Sequence, residues 1–266
     1  MRRLNSIAAV EDRVADNKMP FKDNQPTSKL ERTLSKQYDF DIKSLFSRAN
    51  GLAKANFLSL FQASLVLFLT FVVLGFVAQK FITFNEDGTF IFEHQSLIEI
   101  VAIFIVAPLI GGLYMMGVSH ARGQKTTVFS IFSYVSLIFA LALTQLVNGI
   151  VVQIGLVLLV VPGVYFWMAT SFSLMLVADK SLTPLRAIIL SCRVFNAYWA
   201  QLAGVFAIFI ILFISVPFTL GLSLVWVLPL YFSMLGLLYE EMIGEEGEYT
   251  PSQTVQSKTN ESSFDA

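Results

Sequence analysis

Glu99 interrupts the apolar run "SLIEIVAIF", and a carboxylate inside a membrane-length segment is a candidate for proton or ion handling. Pro162 and Gly163 adjoin in "VVPGVYFWM". Proline removes a backbone donor and glycine relaxes the helix, so the carbonyls freed there suit an ion or small-solute path. The stretch "SLTPLRAIILSCRVFNAYW", residues 181–199, carries Arg186 and Arg193 seven positions apart with Ser191 and Cys192 between them, and Asp179 stands just upstream. Two arginines at that spacing share a helix face and suit anions. Other chemistry is excluded by composition. One cysteine and two histidines, His94 and His120, leave no disulfide framework and no Cys- or His-rich metal site. The chain has no nucleophile–base pair, paired-carboxylate site, Gly-rich phosphate loop or HExxH motif, so neither catalysis nor a cofactor is expected.

The elements that must position these residues are membrane spans. Of 266 residues, 55% are apolar and only 14% charged, and 25 are Phe. That balance belongs to a membrane protein. The net charge of −1 argues against a globally basic nucleic-acid binder. A span needs about 20 apolar residues in helix. Phe57 to Val77 and Ile100 to Val118 each meet this, with Pro108 inside the second. Thr126 to Ala178 runs 53 positions without a charge and Val194 to Tyr239 runs 46, each about two spans long. Gln153 and Gly155 sit near the middle of the first, Pro217 and Gly221 near the middle of the second, so each reads as a helical hairpin. Six spans result, at 57–78, 98–118, 130–151, 156–178, 199–218 and 222–240.

Basic residues are retained on the cytoplasmic side. Seventeen of the eighteen Lys and Arg fall in the tails and even-numbered loops, and Lys80 alone lies opposite them. The expected protein is therefore multi-pass in the inner, cytoplasmic membrane with both termini in the cytoplasm. Loop one, with Asn85 to Gly88 as a turn and alternating Thr89 to Phe92, suggests a short external hairpin. Residues 1–38 and 245–266 are polar and aperiodic and are expected to be disordered tails around a membrane domain at 39–244, with no cleaved signal.

Two amphipathic helices flank the spans. Thr183 before Pro184 marks a helix start, after which Leu185, Ile188, Cys192, Phe195 and Trp199 form one apolar face with Arg186, Arg193 and Asn196 beside it. Two charges near mid-helix cost about 2.5 to 3.5 kcal/mol each on insertion, so this is an interfacial helix rather than a seventh span. Asp41 can cap a second such helix with Ile42, Leu45, Phe46, Ala49, Leu52 and Ala53 as its stripe and Lys43, Arg48 and Lys54 alongside. The fold class is all-α, polytopic, with about six transmembrane helices and two cytoplasmic amphipathic interfacial helices. Gly111, Gly112 and Gly117 suit close helix contact, and Gln145, Asn148 and Gln153 suit hydrogen bonding between helices. His120, Arg122 and Lys125 read as a headgroup-facing basic loop, and the acidic "EEMIGEEGE" at 240–248 can pair with basic loops on the same face.

In order along the chain, "APLIGGLYMMGVSHARGQKTTVFSIF", "VVPGVYFWMATSFSLMLVADKSLTPLRAIILSCRVF" and "LYEEMIG" resemble a family of bacterial inner-membrane proteins. That family is related to the membrane domain attached to some glycerophosphoryl diester phosphodiesterases. The resemblance covers residues 40–244. Its most specific piece is the Pro-Gly of span four, then an aromatic half-span, Asp179 at the exit, and a helix with Ser191 next to a basic position. Leu190 stands where that family is usually more basic. The resemblance implies no catalytic residue, since the phosphodiesterase chemistry belongs to a separate soluble domain. The function expected is a non-enzymatic lipid-interacting or envelope scaffold component. Its partners would be membrane lipids with anionic headgroups, alongside a membrane-protein partner or a second copy of the chain, and not nucleic acid. The alternative is a small-solute or lipid transporter working through Glu99 and the Pro162-Gly163 break.

Overall fold

A computed structural model describes residues 29–84, 90–92 and 95–244. The helices are α1 (Lys29–Leu34), α2 (Ile42–Ala55), α3 (Phe57–Gln79), α4 (Gln95–Ala121), α5 (Ile138–Leu158), α6 (Val160–Ala169), α7 (Ser173–Lys180), α8 (Pro184–Ala197), α9 (Trp199–Phe218) and α10 (Leu224–Met242). Two short strands, β1 (Ile82–Phe84) and β2 (Phe90–Phe92), pair antiparallel with Thr83 opposite Ile91. The expected hairpin in loop one is thus present, and its turn lies outside the described residues. Six helical segments among the described residues are long and apolar enough to cross a membrane: α3, α4, the segment Val128–Leu158, the α6–α7 segment, α9 and α10. The protein is all-α in architecture and multi-pass.

The central helix is α10, which packs on α2, α3, α4 and α9 and is the most buried of the six. Its neighbour α4 approaches so closely that a methyl group on Gly117 would collide with the carbonyl of Phe232, and one on Gly236 with the backbone of Gly117. Small residues let membrane helices associate by backbone contact where no hydrophobic effect drives them together. Tyr114 meets Phe232 one turn further along (5.3 Å between ring centroids), and Arg122 reaches Glu240 at the end of the pair. The two helices therefore run parallel in one register.

Asp41 caps α2 by accepting a hydrogen bond from the Lys43 amide (3.1 Å). The expected stripe faces inward at Leu45, Ala49 and Ala53, all fully buried. Arg48 pairs with Glu241 near the end of α10, while Phe57, two residues past α2, stacks on Trp226 near its start (5.6 Å). Thus α2 accompanies α10 along its length as an antiparallel partner instead of lying flat beneath the bundle.

Order begins earlier than the composition suggests. Helix α1 buries Thr33, whose hydroxyl donates to the Met242 carbonyl (2.9 Å), so residues 29–38 belong to the fold and not to a tail. Residues 1–28 and 245–266 lie outside the described residues. Both ends of the described chain meet at the end of the bundle where α10 terminates.

Span three also starts differently. Two 3-10 turns, Val128–Phe132 and Val135–Leu137, lead into α5, which ends at Leu158 and not near 151. Gly155 lies inside α5 and packs closely against Gly163 of the next helix. The chain reverses at Leu159, a single extended residue (φ −163°, ψ 151°).

Candidate functional site

Three carboxylates collect where helices end: Asp179 in the last turn of α7, and Glu240 and Glu241 in the last turn of α10. Helix C-termini carry partial negative charge, so an acid there is disfavoured by about 0.3 to 1 kcal/mol unless it is compensated. Compensation comes from other elements. Arg122, just past α4, forms a bidentate pair with Asp179 (2.9 and 3.0 Å) and donates through Nε to Glu240 (2.7 Å). The planar guanidinium suits this two-sided task as a lysine would not. The Tyr239 hydroxyl donates to the same Asp179 carboxylate, at the Oδ2 that also accepts from Arg122 (2.9 Å). Lys29 of α1 donates to the Glu240 carboxylate (3.0 Å) and to its carbonyl (3.1 Å). Glu241 accepts from Arg48 of α2 and from the Tyr38 hydroxyl. The Asp179 and Glu240 hydrogen bonds hold the Arg122 pKa above its ordinary value despite partial burial. For Arg48, burial acts the other way and is outweighed by Glu241. Burial, then the Glu241 carboxylate, raises the Tyr38 phenol.

This cluster ties α1, α2, α4, α7 and α10 together at one end. Tyr38 extends it to α8: its amide donates to the Tyr198 hydroxyl (2.7 Å), and the Tyr38, Phe40 and Tyr198 rings pack within 6 Å of one another. The expected pairing of the acidic "EEMIGEEGE" segment with a basic loop is realised at Glu240, through Arg122, whereas Glu241 pairs with Arg48 of α2 and residues 245–248 lie outside the described residues. The headgroup-facing reading of His120 and Arg122 is corrected. His120 is buried, with Nε2 hydrogen-bonded to the Thr126 hydroxyl (2.7 Å), and Arg122 is engaged by carboxylates.

The helix break expected at Pro162-Gly163 stands elsewhere. Pro162 is the third residue of α6, in the first turn, where a backbone N–H has no intrahelical partner to lose. Span four breaks instead at Thr170–Phe172. Ser191 of α8 bridges that break: its hydroxyl donates to the Ala169 carbonyl (2.6 Å) and accepts from the Phe172 amide (3.2 Å). Asn148 of α5 donates to Ser173 on the far side of the break (2.7 Å), the interhelical role expected of it. Glu99 is exposed in the second turn of α4 and accepts from Gln95 of the same helix (2.8 Å). Neither Glu99 nor Pro162 joins the ionic cluster.

Helix α8 turns its inward side, Ala187, Ile188, Ser191, Val194 and Phe195, to the bundle. Its outward side carries Leu185 (64% exposed) and Ile189 (55% exposed), with Arg186 and Arg193 exposed along one flank and Trp199 just beyond its end. The apolar face read from sequence is therefore split: Ile188 and Phe195 point inward, Leu185 and Trp199 outward. Thr183 precedes Pro184 as expected but makes no side-chain cap. Burial keeps the half-buried Cys192 thiol above its ordinary pKa, which disfavours the nucleophilic thiolate.

No protein-family model matches the chain, and comparison with curated proteins and with solved structures returns no match.

Proposed function

We propose that the chain is a non-enzymatic, lipid-engaging scaffold component of the bacterial inner membrane, with the ionic cluster and both termini in the cytoplasm. The observation that carries this reading is the outward side of α8. Arg186 and Arg193 are exposed and form no ion pair among the described residues, while Leu185 and Ile189 lie beside them and Trp199 follows. Apolar side chains, flanking arginines and an interfacial tryptophan together suit a helix half-immersed at a surface of anionic headgroups. Arg122, Arg48 and Lys29, by contrast, are committed to holding the bundle together. The placement of basic residues supports the cytoplasmic assignment. The resemblance to phosphodiesterase-linked membrane domains fits the same reading, that of a membrane module without catalytic residues.

Each basic residue near an anionic surface contributes about 1 kcal/mol. The double substitution Arg186→Glu, Arg193→Glu should therefore weaken capture of anionic lipid by the purified full chain by about 30-fold or more. Native mass spectrometry after reconstitution with mixed anionic and zwitterionic lipid measures it. Unchanged anionic enrichment in the double variant would refute the proposal.

A further inference from the structure

Helices α6 and α9 stand apart over part of their length and leave an open groove of about 520 Å³ between them. It is lined by Trp167 of α6 and by Ile210, Phe213, Ile214, Pro217 and Phe218 of α9. Trp167 touches Phe206 edge-on (5.5 Å), one helical turn nearer the ionic cluster than Ile210.

We infer that this groove binds one acyl chain of a phospholipid. The groove is continuous with the lipid-facing side of α9, where Ile208, Ile211, Ile214 and Phe218 are exposed, so its surroundings are hydrocarbon. Five of the six lining side chains are Trp, Phe or Ile, and the sixth is Pro217. Helices that associate in a membrane approach through small residues, and this groove offers none, so it suits a flexible chain and not a partner helix. Ile210 to Phe218 lie 11 to 19 residues beyond Trp199, about 16 to 28 Å along the helix axis, so the groove is well separated from α8. The inference shares with the proposed function only the premise of lipid engagement, and it concerns an acyl chain at a different place on the molecule.

Trp167 reports on the groove directly. In the full chain carrying Trp199→Phe and Trp226→Phe, reconstituted into phosphatidylcholine vesicles, phosphatidylcholine brominated at mid-chain would be titrated in while Trp167 fluorescence is read. The reference for bulk lipid is Phe71→Trp on the exposed side of α3, in a chain with all three native tryptophans replaced by Phe. Quenching of Trp167 should saturate, reaching half its maximum at a mole fraction roughly threefold or more below that of the reference. Filling the groove with Ile210→Phe and Ile214→Phe should convert it to the reference behaviour. Quenching that follows the reference in the unfilled groove would overturn the inference, because it would show only bulk lipid. Absence of quenching would overturn it too, because a protein segment would then occupy the groove. Arg186→Glu with Arg193→Glu should leave the Trp167 titration unchanged, so failure of the α8 reading and failure of this one are separable.

Discussion

Arg122 is the residue on which the cluster depends. Among the described residues it alone bridges Asp179 and Glu240 by ion pairs, and so joins α7 to α10 through the end of α4. The side chains are partly buried, between the surface regime in which ion pairs contribute little and the deep regime in which breaking one costs 3 to 5 kcal/mol. Asp179→Asn should lower stability by about 2 kcal/mol, and Tyr239→Phe, which deletes one hydrogen bond to the same carboxylate, by about 1 kcal/mol. Because both act on one network, the double variant should lose less than the sum. Thermal unfolding in detergent measures all three. Tyr38 adds a pH dependence of known sign. Its phenol binds its proton more tightly in the folded chain than its ordinary value of about 10 implies, so its contribution is complete below pH 10 and is lost as pH rises beyond it. Protease cleavage within residues 29–40 should accelerate above pH 10 in the parent chain, and Tyr38→Phe should remove that acceleration. Cleavage equally pH-dependent in both would show that Tyr38 does not hold the segment.

At the scale of elements, the spans were legible in the sequence and their interruptions were not. Uncharged runs of fixed length locate membrane helices because burying charge is so costly that composition alone reveals the boundary. A helix break is decided differently. Pro162-Gly163 carries the local signature of a break, yet it falls in a first turn where proline is harmless. Thr170–Phe172 carries a weak signature and breaks because Ser191, 19 or more residues away, supplies the donor and acceptor the backbone lacks. The side of α8 that faces the bundle was ambiguous for a related reason: both its sides are apolar, and only neighbouring helices decide which is covered. Two substitutions separate these effects. Pro162→Ala should change stability by less than about 0.5 kcal/mol. Gly163→Ala should cost about 1 to 3 kcal/mol, since the added methyl would meet the Leu156 side chain and backbone across the α5–α6 turn. The opposite order in unfolding midpoints would return the break to Pro162.

For the molecule as a whole, the α4–α10 register fixes how far each hairpin reaches. Tyr114 beside Phe232, Gly117 beside Gly236 and Arg122 beside Glu240 place the start of α10, Leu224, level with the neighbourhood of Val106. Helix α4 continues from there to Gln95, about 16 Å further. Along that extension Leu97, Ile100, Val101 and Ile105 are exposed and apolar, so hydrocarbon must cover them. The α9–α10 turn therefore ends within reach of the bilayer's apolar layer, which accounts for Phe218, Leu220 and Leu222 all standing exposed with no charge near them. The α5–α6 turn, Val157 to Val161, has the same character. With Cys192 replaced by Ser, a cysteine at Leu220 or Val157 should resist a water-borne, membrane-impermeant maleimide, whereas one at Ser96, beside the start of α4, should react. Rapid labelling at Leu220 would place that turn in water. The exposed apolar ring of α4 would then need a protein partner, and not lipid, to cover it.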